Sequence, residues 1–159
     1  MTIQYQPIGI IHTPFTDLKG MPIQPTGSAA TRGTVELYPE FQEGLKDLEG
    51  FSHIILIYHF HQSQGFKLQV VPYLDTREHG VFATRAPKRP NPIGMSVVRL
   101  LGIEQGVLQI ERIDVLDGTP LLDIKPYVPD FQSDEAVKTG WLEEVSKNVV
   151  SAVADGRFA

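Results

Sequence analysis

No cysteine occurs in the 159-residue chain. That one absence excludes disulfides, thiolate metal sites and a cysteine nucleophile together. No apolar run approaches the roughly 20 residues that a membrane span requires. The start, Met1-Thr2-Ile3-Gln4, lacks the basic and apolar blocks of a secretory signal, so the expected compartment is the cytoplasm. Neither a Gly-x-Gly-x-x-Gly nor a Walker sequence is present, which removes the usual signs of a Rossmann site and a P-loop. Gly94-Met95-Ser96-Val97 is not a nucleophile elbow, although serine, histidine and aspartate are all available. No internal repeat and no linker divides the chain.

What remains is ordinary in amount and uneven in distribution. Hydrophobic residues make up 42% and charged residues 21%, the balance of one soluble globular domain. The net charge of −5 argues against a nucleic-acid binder as judged from the whole chain. Between 77 and 99, however, Arg77, Arg85, Lys88, Arg89 and Arg99 face only Glu78. A local anion or phosphate site and a plain solvated face both fit that cluster.

The strongest local feature lies within the same cluster, from Phe82 to Ser96. Pro87, Pro90 and Pro92 punctuate it, with Arg85, Lys88, Arg89 and Asn91 between and beside them. Proline fixes φ, removes a donor and pushes the preceding residue towards extended backbone, so the segment is a stiff loop. Stiffness holds polar groups at set positions with little left to order on binding. A rigid connector with solvated charges is the plainer alternative.

Elsewhere, short strands dominate. Tyr5 to His12 reads as a first strand, with Pro7 at an edge or strand start. Residues 13–32, rich in Pro, Gly, Thr and Ser, make a long loop. Gly33 to Tyr38 alternates as a strand, and Pro39 to Leu48 places Phe41, Leu45 and Leu48 on one helical face. Phe51 to His61 is apolar on both faces through its middle, as a strand buried on both sides would be. Gln69 to Leu74 and Gly80 to Thr84 are shorter strands. Met95 to Leu101 and Val107 to Ile110 form a hairpin across Glu104-Gln105-Gly106, and Pro120 to Ile124 is a last strand. From Asp134, Trp141, Val145, Val149, Val150 and Val153 keep helical spacing. The fold expected is mainly β, a small antiparallel barrel (a sandwich being the alternative) with one internal and one C-terminal helix.

Two other groupings bear on chemistry. His53, His59 and His61 share one strand face, which suits a pocket wall better than a metal site, because no carboxylate accompanies them at ligand spacing. Asp117-Gly118-Thr119-Pro120, followed by Asp123-Ile124-Lys125-Pro126-Tyr127, offers a turn with exposed backbone and one carboxylate. An ordinary hairpin end would look the same.

Taken together these stretches resemble the TsaA/TrmO family. The likeness rests on Phe82-Ala83-Thr84-Arg85, Arg89-Pro90-Asn91-Pro92-Ile93-Gly94-Met95-Ser96, Asp117 to Pro120 and Asp123 to Tyr127. Phe51-Ser52-His53, Phe60-His61-Gln62, Ile8-Gly9-Ile10-Ile11 and Gln24-Pro25 also match, so it runs from about Tyr5 to Tyr127. Thr26 stands where members often have glycine, and Ala86-Pro87-Lys88 where many have Ser-Pro or Ser-Thr variants.

The resemblance implies an S-adenosylmethionine-dependent tRNA methyltransferase, a homodimer acting on N6 of the threonylcarbamoyl-adenosine beside the anticodon of threonine tRNA. Some bacterial members carry a further C-terminal domain, whereas here the tail reads as one helix. By motif, Gln24, Pro25, Thr26, His61, Gln62, Arg85, Met95, Ser96, Asp117, Gly118, Thr119 and Pro120 would hold the cofactor. Lys88 and Arg89 would meet tRNA phosphates, no metal is involved, and Asn91 is the expected catalytic residue. Another acceptor on the same fold, or a non-catalytic S-adenosylmethionine sensor, are the alternatives.

Overall fold

The computed structural model describes residues 1–21, 30–129 and 137–145. Six strands close an antiparallel barrel: β1 (Gly9–His12), β2 (Arg32–Leu37), β3 (His53–His59), β6 (Ile93–Glu104), β7 (Val107–Glu111) and β8 (Thr119–Pro126). Around the wall the order is β1-β2-β7-β6-β3-β8, and β4 (Gln69–Val70) with β5 (His79–Gly80) makes a small separate ribbon. Closure removes every unpaired edge from the main sheet.

Alternation decides which side chains face inward. Ile54, Leu56 and Tyr58 of β3 and Val98 and Leu100 of β6 join Ile11, Val35, Leu37, Leu108, Ile110 and Leu121 in one core. Each fully buried aliphatic side chain contributes roughly 1.5–3 kcal/mol relative to exposure. The β6–β7 hairpin turns where expected, through Gln105 (φ 51°) and Gly106 (φ 78°). Two consecutive positive φ values match the right-handed twist of the strands they join.

Five local expectations change. Strand β3 is buried on alternate residues, with Ile55 and Ile57 half-buried on the outer wall. A closed barrel has a single packed interior, so the apolar residues on its outer face are only partly covered. The internal helix is two 3-10 turns, Pro39–Leu45 and Leu48–Gly50, yet Phe41, Leu45 and Leu48 pack on the core as the pattern implied. Gly80 to Thr84 is strand only at its first residue. Val81–Ala83 is a 3-10 turn, closed by the Thr84 N–H (3.1 Å) and hydroxyl (2.9 Å), both donated to Val81 O. The first strand starts at Gly9 rather than Tyr5, and Gln69 to Leu74 keeps strand geometry only at Gln69–Val70.

Of the tail helix, Leu142–Val145 is described, and Val149, Val150 and Val153 lie outside the described residues. Trp141 stacks on His79, with ring centroids 4.4 Å apart, and its indole N–H donates to Ala83 O at 2.9 Å. His79 Nε2 lies 2.8 Å from Asp75 Oδ2, and Arg77 bridges Asp75 and Glu144. The tail therefore braces the segment that feeds the proline-rich loop.

Candidate functional site

The loop between Thr84 and Ile93 is held by its own backbone and by one arginine. Arg89 N donates to Pro87 O at 2.9 Å, and Ile93 N donates to Asn91 O at 2.7 Å. The Arg89 guanidinium donates through Nη1 to Thr84 O (3.1 Å) and Ala86 O (3.2 Å), filling carbonyls that the neighbouring prolines cannot serve. Arg89 is thus committed to the shape of the loop. The loop is tied to the end of β3 by Phe60 N to Pro92 O (2.8 Å) and Ser63 Oγ to Pro87 O (3.0 Å).

These ties set Asn91 at the rim of a groove of about 460 Å³ lined by Ile3, Tyr5, Pro7, His59, Asn91, Pro92, Ile93, Pro120 and Leu122. Its walls are mostly apolar, and Asn91 and His59 supply amide and imidazole edges. That combination, a few polar groups in an apolar cleft of roughly 300–1,000 Å³, is the usual make-up of a small-molecule site. A second depression, of about 540 Å³, is lined by Leu45, Lys46, Asp47, Glu49, Gly50 and Ile103 and includes none of the candidate residues. His61, two residues beyond His59, does not line the groove, and partial burial, together with the neighbouring charge of His59, holds its ring below the usual histidine value.

The sequence motifs do not all converge on the groove. Asn91 and Pro120 line it, and Met95 lies on the outer wall of β6, 46% exposed. Gln62 and Arg85 are exposed, and Lys88 is half-buried. Asp117 Oδ1 accepts from Thr13 N at 3.0 Å and lies 3.4 Å from His12 Nδ1. Gly118, at φ 76°, takes a left-handed backbone at the turn, and Gly118 N donates to Ile11 O at 3.0 Å. Thr119 is buried and donates its hydroxyl to Leu116 O at 2.6 Å. This turn fastens the start of the first long loop, and Gln24, Pro25 and Thr26 of that loop lie outside the described residues.

Ser96 points into the barrel, 1% exposed, and belongs to a chain of groups that the motif reading missed. Tyr58 OH donates to Ser96 Oγ at 2.9 Å, and Ser96 Oγ donates to Asp114 Oδ1 at 2.6 Å. Burial pushes the Asp114 carboxyl up to about 6, against the pull of the Ser96 hydroxyl and the Arg85 charge. Burial, reinforced by Asp114, also raises the Tyr58 hydroxyl above its usual value. The available signal was one acid inside Ile113-Asp114-Val115-Leu116, an apolar run where a carboxylate needs a partner. Among the described residues no cluster of three histidine, aspartate or glutamate side chains is placed to hold a metal.

Known proteins share both the sequence and the barrel. Residues 10–133 match the family described as the tRNA-methyltransferase O N-terminal domain. A probable S-adenosyl-L-methionine-binding protein of Pyrococcus abyssi is 58% identical over 158 residues, covering 99% of this chain and 86% of that protein. A mouse tRNA (adenine(37)-N6)-methyltransferase is 35% identical over 137 residues, 82% of this chain and 32% of its own length. The crystal structure of TrmO from Pseudomonas aeruginosa superposes with a TM-score of 0.74 at 45% identity, covering 89% of this chain and 63% of that one. The chain thus spans most of the archaeal relative, under two thirds of the bacterial chain and about a third of the mouse protein. With the matched region taking in the barrel, the proline-rich loop and the Asp117 turn, the chain belongs to the family of the tRNA-methyltransferase O N-terminal domain.

Proposed function

We propose that this protein binds S-adenosylmethionine beside Asn91 and transfers its methyl group to N6 of an adenosine next to the anticodon of tRNA. The acceptor we favour is the threonylcarbamoyl-adenosine of threonine tRNA. The observation that carries the reading is the groove itself, where Asn91, Pro92 and Ile93 meet Pro120 and His59. Relatives named for S-adenosylmethionine binding and for tRNA adenine methylation support it.

The donor set fits the cofactor. Apolar walls at Tyr5, Ile93 and Leu122 suit a purine and a sulfonium methyl, while Asn91 and His59 offer polar edges. When bound, the cofactor would supply an electrophilic methyl on positively charged sulfur; the pair of the broken C–S bond stays on sulfur, carbon bonds to N6, and the N6 proton passes to solvent water. Such an in-line displacement asks the protein chiefly for position and a water-poor pocket. The N6 lone pair is delocalised into the ring. Asn91, fixed by its flanking prolines, accepts a hydrogen bond from the N6 hydrogen and turns that lone pair towards the methyl carbon. Arg85 binds a carboxylate or another substrate anion through its planar fork. Lys88 takes a tRNA phosphate, while Arg89 keeps the loop in shape. Gln24, Pro25, Thr26, His61, Gln62, Met95 and the Asp117 turn complete the cofactor side of this proposal.

A homodimer belongs to the same reading. On the outer wall Ile57 pairs across to Met95, Ile55 to Val97 and His59 to Ile93, so the apolar stripe runs directly into the groove. An exposed apolar band of this kind is what a second copy would cover. The compartment that goes with this reading is the cytoplasm.

One observation favours the alternative of cofactor binding without this acceptor. Relatives that the chain spans at 86% and 90% of their length carry names that state binding only. Incubation with methyl-labelled S-adenosylmethionine and bulk tRNA, followed by nucleoside chromatography, separates the two. Label in an N6-methylated threonylcarbamoyl-adenosine supports the proposal. Tight cofactor binding with no label in tRNA supports another acceptor or a sensor.

A further inference from the structure

Two surface segments, one of them tied to the proline-rich loop at Lys88, carry exposed rings that none of the roles above uses. Phe66, Leu68 and Phe82 are 57%, 60% and 76% exposed. Backbone hydrogen bonds hold their segments side by side: Lys67 N donates to Lys88 O at 3.4 Å and Val81 N to Leu68 O at 2.9 Å. The Gln69–Gly80 pair of the small ribbon continues the same seam. Val70 and Val81, within the same two segments, pack with Ala86 in their own buried cluster against Tyr73, so these segments are anchored.

The charge around these rings is positive on an acidic protein. Lys67 and Arg85 are exposed and Lys88 is half-buried, while the carboxylate of Asp75 is engaged by His79 and Arg77. Exposed aromatic faces flanked by cations are the recognition elements of unpaired nucleotides, whose bases stack on rings while phosphates meet lysine. A duplex keeps its bases stacked on one another and offers no such face. Two copies of this patch would repel one another, unlike the largely uncharged stripe on β3 and β6.

We propose that Phe66 and Phe82 form a stacking platform for unpaired bases of an RNA loop, with Lys67 and Lys88 on the flanking phosphates. This rests on the tRNA reading above and specifies how the substrate loop is held beside Asn91. The platform is separable from the chemistry, because it requires no methyl transfer to be observed.

The test is fluorescence anisotropy with three probes: a synthetic anticodon stem-loop, its stem alone as a blunt duplex, and oligoadenylate. Phe66→Ala and Phe82→Ala should each weaken binding of the stem-loop and oligoadenylate about 5- to 100-fold, the range that loss of one base–aromatic stack implies. Duplex binding and cofactor affinity should not move. Phe82→Trp should retain affinity, and Phe82→Leu, apolar but without a π face, should not. Alanine variants that bind the stem-loop like the parent would overturn the platform. So would rescue by Phe82→Leu, or a change confined to self-association. A parent protein that binds oligoadenylate through Phe82 yet labels no tRNA would uphold the platform and sink the methylation reading. Labelling of tRNA with unaltered RNA affinity in both alanine variants would do the reverse.

Discussion

Asp114 shows how one residue inside a barrel can tie stability to pH. Its carboxyl is raised from 3.8 to about 6, chiefly by burial. An acid that holds its proton more tightly in the folded chain than in the unfolded chain makes stability fall as pH rises between the two values. This group therefore favours folding below about pH 4, and that contribution disappears as pH climbs through about 6. The decline amounts to at most about 3 kcal/mol. Asp114→Asn should abolish it, so that urea melts of the variant lose less stability than the parent between those pH values. Parallel curves for the two proteins would contradict the assignment. Little of this was legible beforehand. Asn91 announced itself through flanking prolines, whereas Asp114 offered only its apolar neighbours, and its role emerges once Ser96 Oγ is seen 2.6 Å from it and Tyr58 OH 2.9 Å from Ser96. For the same reason Ser96 stood beside Met95 among the expected cofactor residues: a strand's period fixes that alternate residues share a face but does not say which face is the core.

Among the elements, β6 has the most to do, because it carries the loop's exit, one wall of the core and half of the outer stripe. Gly94 near its start is required by packing. A Cβ there would fall on the ring of Tyr58 and within 2.8 Å of Phe60. Those two rings meet edge to face, with centroids 5.5 Å apart, so neither can withdraw freely. Gly94→Ala should cost about 1–3 kcal/mol, the usual range for overpacking. A lowered denaturation midpoint with an unchanged slope would bear this out, and an unchanged midpoint would refute it. The hairpin from β6 to β7 was readable because Gln105-Gly106 supplies its turn and the flanking residues alternate. The 3-10 turn at Val81–Ala83 was not, because Val81-Phe82-Ala83-Thr84 is as good a strand by composition. Closing the turn depends on the Thr84 hydroxyl and N–H meeting Val81 O, a choice of rotamer and backbone that composition does not carry.

For the whole molecule, the barrel and its outer stripe account for a strand whose sequence is apolar on both faces. Phe51 to His61 read as a strand covered on both sides, and in the barrel Ile55 and Ile57 face outward instead. A second copy over the stripe would restore that cover and sit against the groove. The parent protein should sediment as a dimer, and Met95→Asp, replacing a side chain 46% exposed on that wall, should sediment as a monomer. A parent that is monomeric at micromolar concentration would remove the dimer from the account. The central claim, that the groove beside Asn91 is where the methyl group moves, is tested most directly by one comparison. Turnover on tRNA and the dissociation constant for S-adenosylmethionine should be measured together for the parent and Asn91→Ala. A loss of turnover of about 100-fold, with cofactor affinity little changed, is the predicted result for a group that acts on the reacting nitrogen. Equal loss of turnover and affinity, or full activity in the variant, would contradict it.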